Sequence, residues 1–128
     1  MMKTVYTENA PQAIGPYSQA VKAGTFLFLS GQIPVNPATN EVVEKDIVVQ
    51  TKQVMNNIKA ILDKESLTLD RIVKTTIFVT DMNQFATVNE IYGNFLGDHR
   101  PARSTVEVSR LPKDVLIEIE VVAYIGNI

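Results

Sequence analysis

Cysteine is absent from this chain, and histidine occurs once, at position 99. The first absence removes disulfides, thiolate nucleophiles and thiolate-based zinc sites, and it fits a reducing compartment. The second leaves any metal to be held mostly by carboxylates, for which no ligand spacing is visible, and it removes serine–histidine–acid catalysis as a scheme. No metal site is therefore expected. His99 itself, between Asp98 and Arg100-Pro101, is expected in a solvent-exposed loop. Long apolar runs are missing as well. No segment approaches the ~20 residues of a transmembrane helix, and Met1 to Glu8 lacks the apolar core of a signal peptide, so the expectation is a cytoplasmic protein with no membrane partner. Nor is there a surplus of basic charge. Twelve Lys and Arg against fourteen Asp and Glu leave a net charge of −2 with no basic stripe, which argues against nucleic acid as a partner. Gly-rich phosphate loops and the Gly-x-Ser-x-Gly elbow do not occur.

What is present suits one folded domain spanning residues 1–128, long enough for a core and too short for two ordinary domains. A first strand is expected near Lys3 to Tyr6. Pro11, Gly15 and Pro16 then make Asn9 to Ser18 a long ordered loop. Ala20–Ala23 and Phe26–Ser30 read as strands joined by the two-residue turn Gly24-Thr25, with the chain leaving the sheet at Gly31. Pro34, Pro37 and Asn40 suggest an irregular connection. Asp46 can cap a helix running to about Glu65, with Ile47, Thr51, Met55, Ile58 and Leu62 on one face. Ile72–Val79, β-branched and apolar on both faces, reads as a central strand. Asp81 or Asn83 can cap a second helix bearing Phe85, Val88, Tyr92, Phe95 and Leu96 and stopped by Gly97. Two final strands follow. The order is three strands, helix, strand, helix, two strands, which gives an α+β layer with helices on one sheet face. The uncovered side of the last strand would show Leu116, Val122 and Tyr124, a surface suited to another copy of the chain.

The last two strands hold an unusual number of charges. Alternation puts Arg103, Thr105 and Glu107 on one face of the first and groups Glu118 with Glu120 on the second. With Ser109 to Asp114 as a simple loop, the two form a hairpin in which Thr105 opposes Glu118 and Arg103 opposes Glu120. Spacing leaves two readings open. One is an ordinary cross-strand salt bridge. In the other, Arg103 offers a planar fork to a substrate carboxylate while a nearby glutamate handles water. Tyr17, Ser30-Gly31-Gln32 and Asn89 are further polar candidates, each of which also has a plain packing, turn or helix-surface explanation.

The segments Asn9-Ala10-Pro11-Gln12-Ala13-Ile14-Gly15-Pro16-Tyr17-Ser18-Gln19-Ala20, Ser30-Gly31-Gln32-Ile33-Pro34, Pro101-Ala102-Arg103-Ser104 and Arg110-Leu111-Pro112-Lys113-Asp114 occur in that order. Together with Val73-Lys74-Thr75-Thr76 and Phe85-Ala86-Thr87-Val88-Asn89 they resemble the reactive intermediate deaminase A (RidA/YjgF) family over nearly the whole chain. The resemblance implies a chorismate-mutase-like α+β fold with a mixed sheet, a homotrimer with sites between subunits, and cofactor-free hydrolysis of enamine and imine intermediates. The expected substrates are 2-iminopropanoate and 2-iminobutanoate, released as 2-oxo acids and ammonia. By position, Arg103 corresponds to the arginine that binds the substrate carboxylate and Glu118 to the acid that orients water. Tyr17, Ser30, Gly31 and Asn89 match other cleft positions. Thr105 stands where many relatives have cysteine, and the loop from Gly97 to Pro101 is shorter than in some, with Arg100 just before the proline. The same residues are compatible with a regulatory module that captures a small carboxylate. RNA cleavage or translation inhibition, attributed to some relatives, is a third reading, against which the lack of a basic stripe and of a histidine acid–base pair argues.

Overall fold

The computed structural model describes residues 2–126. Its main sheet is built from β1 (Met2–Val5), β2 (Ala20–Ala23), β3 (Phe26–Gln32), β6 (Ile72–Val79), β7 (Ala102–Glu107) and β8 (Ile117–Tyr124). The connection after β3, expected to be irregular, contains a small ladder of β4 (Val35–Asn36) and β5 (Glu41–Val42), turned at Asn40 in the left-handed region. Two helices, α1 (Ile47–Lys64) and α2 (Phe85–Leu96), complete the fold. The α+β class and the mixed sheet with helices on one face are thus as the sequence suggests.

Local signals act where expected. Gly24, at φ 60°, makes the tight turn between β2 and β3. Asp46 caps α1 by accepting a hydrogen bond from the Val49 amide at 2.9 Å. Val54, Met55, Ile58, Ile61 and Leu62 bury the inner face of α1 against β3 and β8. Each such side chain contributes roughly 1.5–3 kcal/mol of transfer free energy. Asp81 caps a short 3₁₀ turn, Met82–Gln84, that leads straight into α2. Val88, Tyr92 and Leu96 then join the same core as Ile77 and Val79 of β6.

Strand order differs from expectation. It runs β1-β2-β3-β8-β6-β7, so β7 and β8 are not a hairpin; β6 lies between them. The cause is the connection through α2. A strand–helix–strand crossover returns the chain parallel to its start, and β7 pairs parallel with β6. The segment after β7 then passes over the end of β6, where the Val108 amide donates to the Val79 carbonyl and the Thr80 amide to the Leu116 carbonyl. That passage contains the 3₁₀ turn Pro112–Asp114 in place of a simple loop. β8 enters antiparallel between β3 and β6.

Residue parity follows from these registers. Arg103 lies beside Thr75 and Thr105 beside Ile77, on the helix-covered side. Glu118 lies beside Phe78 and Glu120 beside Thr76, on the opposite, uncovered side. The expected facing of Arg103 with Glu120 is therefore overturned. The uncovered face carries Val122 and Tyr124 as anticipated, beside Phe28 and Phe26, and Phe28 is 47% exposed. Leu116 instead precedes β8 and packs against the core. His99 also departs from expectation: it is half-buried, and its Nε2 lies 2.7 Å from the Ile72 carbonyl, tying the loop after α2 to β6. Among the described residues no helix is long and apolar enough to cross a membrane.

Candidate functional site

Glu118 owes its setting to a bulge. β3 does not leave the sheet at Gly31 but pairs on to Gln32, with Ser30 and Gly31 together spanning one residue's width of β8. The bulge brings the Gly31 backbone against the Glu118 side chain so closely that a Cβ at position 31 would overlap the carboxylate. Glycine is needed here for close approach. Ser30 is held on the neighbouring loop, its amide donating to the Gln19 carbonyl and its hydroxyl to the Ser18 carbonyl at 2.6 Å.

Glu118, Ser30, Gly31 and Tyr17 line one cavity of about 570 Å³, walled by apolar residues such as Ile14 and Val35 and reached by Lys113. Its loop wall is fixed by a residue to which sequence reasoning assigned no role. Gln19, 3% exposed, accepts from the Thr7 amide and donates to the carbonyls of Thr7, Ala10 and Pro11. One amide side chain thus replaces the backbone pairing that the proline-rich loop cannot make. Gln50 acts similarly from α1, accepting from the Leu116 amide at 2.8 Å just before β8. The available signal was a long polar side chain one turn from Ile47 and Val54, on the buried side of α1.

Arg103 belongs to a second cavity, of about 370 Å³, with Asn89 and Arg100. Its Nη1 donates to Asn89 Oδ1 at 2.7 Å, and its guanidinium carbon sits 5.1 Å from the Phe85 ring centroid and 5.3 Å from that of Tyr92. The Tyr92 hydroxyl is in turn 2.7 Å from Thr75 Oγ1. α2 therefore aims the fork, and among the described residues no carboxylate pairs with it. Thr105, two residues on, is half-buried and lines neither cavity.

One chain thus brings together Tyr17, Ser30, Gly31 and Glu118 in one group, and Asn89 and Arg103 in another. The groups lie on opposite faces, and their strands are two inter-strand spacings apart, about 9.6 Å. Among the described residues no group of three or more acidic or histidine side chains converges as a metal site would require.

Burial, with the charge of Glu120 second, pushes the Glu118 carboxyl above its ordinary value. The folded chain therefore binds this proton more tightly than the unfolded chain does. The corresponding stability is fully present below the unfolded value of about 4.3 and is lost as pH rises through the raised folded value. Glu118→Gln is accordingly expected to melt higher than the parent at about pH 7–8, with the gap closing below about pH 4. Equal midpoints at neutral pH would contradict that burial cost.

Comparison with known proteins agrees with the fold throughout. The family described as endoribonuclease L-PSP matches residues 7–125. A RutC family protein of Pyrococcus horikoshii is 57% identical over 97% of this chain and 98% of its own. The 2-iminobutanoate/2-iminopropanoate deaminase of Escherichia coli K12 is 56% identical over 96% of this chain and 98% of its own. Among solved structures, a Rid family protein of unknown function from Yersinia pestis superposes with a TM-score of 0.95 at 53% identity, covering 97% of this chain and 99% of that one. Escherichia coli TdcF with bound serine does so with a TM-score of 0.92 at 46% identity, covering 97% and 99%. A match this long and this close, on both sequence and fold, makes the chain a member of the RidA/YjgF family, the group described as endoribonuclease L-PSP.

Proposed function

We propose that the protein hydrolyses 2-imino acids such as 2-iminopropanoate and 2-iminobutanoate to 2-oxo acids and ammonia, in a homotrimer whose sites lie between subunits. The observation that carries this reading is the Arg103 guanidinium, aimed by Asn89 between two aromatic rings and lacking an ionic partner among the described residues. It suits a planar carboxylate held bidentately. The deaminase name of the E. coli relative and the serine bound to TdcF both support a small amino-acid-like ligand.

Glu118 supplies the chemistry. Its carboxylate takes a proton from water as the hydroxyl adds to the imine carbon, and passes that proton to the former imine nitrogen, giving a neutral carbinolamine. The carbinolamine then collapses. Glu118 takes the hydroxyl proton and delivers it to the departing nitrogen, and ammonia leaves behind a 2-oxo acid. A carboxyl raised above its ordinary value and open to a cavity serves both steps better than a fully exposed one. No step calls for a cofactor. Orientation plus one acid–base group supplies about 10²–10⁴-fold, which is enough for a substrate that also hydrolyses on its own.

The trimer joins the two half-sites. Support for it comes from the split of the candidate residues and from the apolar sheet face on which Phe26 and Phe28 are exposed beside half-buried Val122. RNA cleavage is favoured less, since the single histidine is engaged at Ile72.

The test generates the imine in situ from serine or threonine with a dehydratase and follows 2-oxo acid release against a nucleophilic trap. Acceleration over the spontaneous rate is expected, and none would overturn the enzyme reading. A second result bears on Glu118. Gly31→Ala is expected to displace the Glu118 carboxylate and lower turnover about tenfold or more while carboxylate binding at Arg103 persists. Unchanged turnover in that variant would remove the close approach from the mechanism.

A further inference from the structure

The smaller cavity, between the middle of α2 and the start of β7, is lined by Asn89, Tyr92, Gly93, Arg100, Pro101 and Arg103. It contains two guanidinium groups and no acid. Arg100 is held as deliberately as Arg103 is. Its Nη1 donates to the Gly97 carbonyl at 2.5 Å and to the His99 carbonyl at 2.8 Å, which pins it to its own loop. That loop is anchored in turn by His99 on Ile72. Nε and Nη2 of Arg100, like Nη2 of Arg103, have no protein partner among the described residues, and neither arginine takes part in an ion pair there.

Two like charges on one small cavity repel, and nothing in its lining compensates them. A single carboxylate occupies one fork; two carboxylates occupy both. We infer that Arg100 supplies a second carboxylate-binding fork beside Arg103, so that the site prefers 2-imino acids bearing an acidic side chain over their monocarboxylic counterparts. This rests on the reading of Arg103 as the anchor of the α-carboxylate. Phosphate has the same charge but fits the setting less well. Phosphate sites draw on helix N-termini and clustered backbone amides, whereas α2 lines this cavity with Asn89, Tyr92 and Gly93, beyond its first turn, where the backbone amides are already used within the helix. Two separated carboxylates, each facing its own arginine, need no such amides.

The experiment titrates the assembled protein calorimetrically with 2-oxoglutarate and with 2-oxobutyrate, stable product analogues of the acidic and neutral classes. The dicarboxylate is expected to bind about tenfold or more tightly, as one further charge-assisted contact implies. Arg100→Glu, a change at an exposed loop residue, is expected to bring that ratio to one or below. A ratio near one in the parent overturns the inference. So does a preference that survives Arg100→Glu, or inorganic phosphate that displaces 2-oxoglutarate at equal concentration. An Arg103→Ala variant that keeps full affinity for 2-oxobutyrate removes the anchor itself, and overturns the underlying reading together with the inference. The two failures are thereby distinguishable.

Discussion

Replacing Arg103 by alanine is expected to lower imine hydrolysis by about 10²–10³-fold, close to the spontaneous rate, while the chain stays folded. The size follows from the bonds removed. Hydrogen bonds to charged groups are worth roughly 1.5–3 kcal/mol each, and a bidentate carboxylate uses two. Stability should change far less. Arg103 is exposed on the edge strand β7, and its links to Asn89, Phe85 and Tyr92 are surface contacts that together contribute about 1 kcal/mol. Arg103→Lys keeps the charge but loses the fork and the stacking plane, so it too is expected to lose most activity. Near-normal turnover in the alanine variant, measured with the imine generated in situ, would remove Arg103 from the site. Comparable losses in turnover and in thermal stability would point to a structural role.

Both helices were legible because their information is local. Asp46, the stripe through Met55, Ile58 and Leu62, and the stop at Gly97 each act within a few residues of where they stand. Face parity within a strand was equally legible. Arg103 does share a side with Thr105, and Glu118 shares one with Glu120. What parity cannot give is the relation between two strands, because that depends on which strand lies between them. Consecutive β7 and β8 invited a hairpin, yet the preceding strand–helix–strand succession had already committed β7 to a parallel place beside β6. The bulge at Ser30-Gly31 was hidden for a related reason. A glycine in a strand hints at close approach, but the atom that approaches, on Glu118, is far away in sequence. Gln19 left no pattern at all, since its role consists of bonds to backbone groups in a loop without periodicity.

The placement of Arg103 and Glu118 on opposite faces leads to the sharpest expected result. If each site joins the Arg103 half of one subunit to the Glu118 half of the next, then Arg103→Ala and Glu118→Gln, each nearly inactive alone, should restore activity when assembled together. In a ring of three, any mixed trimer contains one junction at which an intact Arg103 meets an intact Glu118. Random assembly from equal amounts makes about three-quarters of the trimers mixed, each with one live site in three, so the expected recovery is about a quarter of the parent activity. The two variants must be refolded or expressed together, and differently sized tags let native mass spectrometry count the mixed species. Co-assembly of Arg103→Ala with Arg103→Lys provides the control, since no junction there regains an arginine fork. Verified mixed trimers without recovery would mean that one chain provides both residues to each site. The fold speaks against that outcome, because β6 and the thickness of the sheet separate the two groups, and a change of side-chain rotamer alone cannot carry either through the sheet.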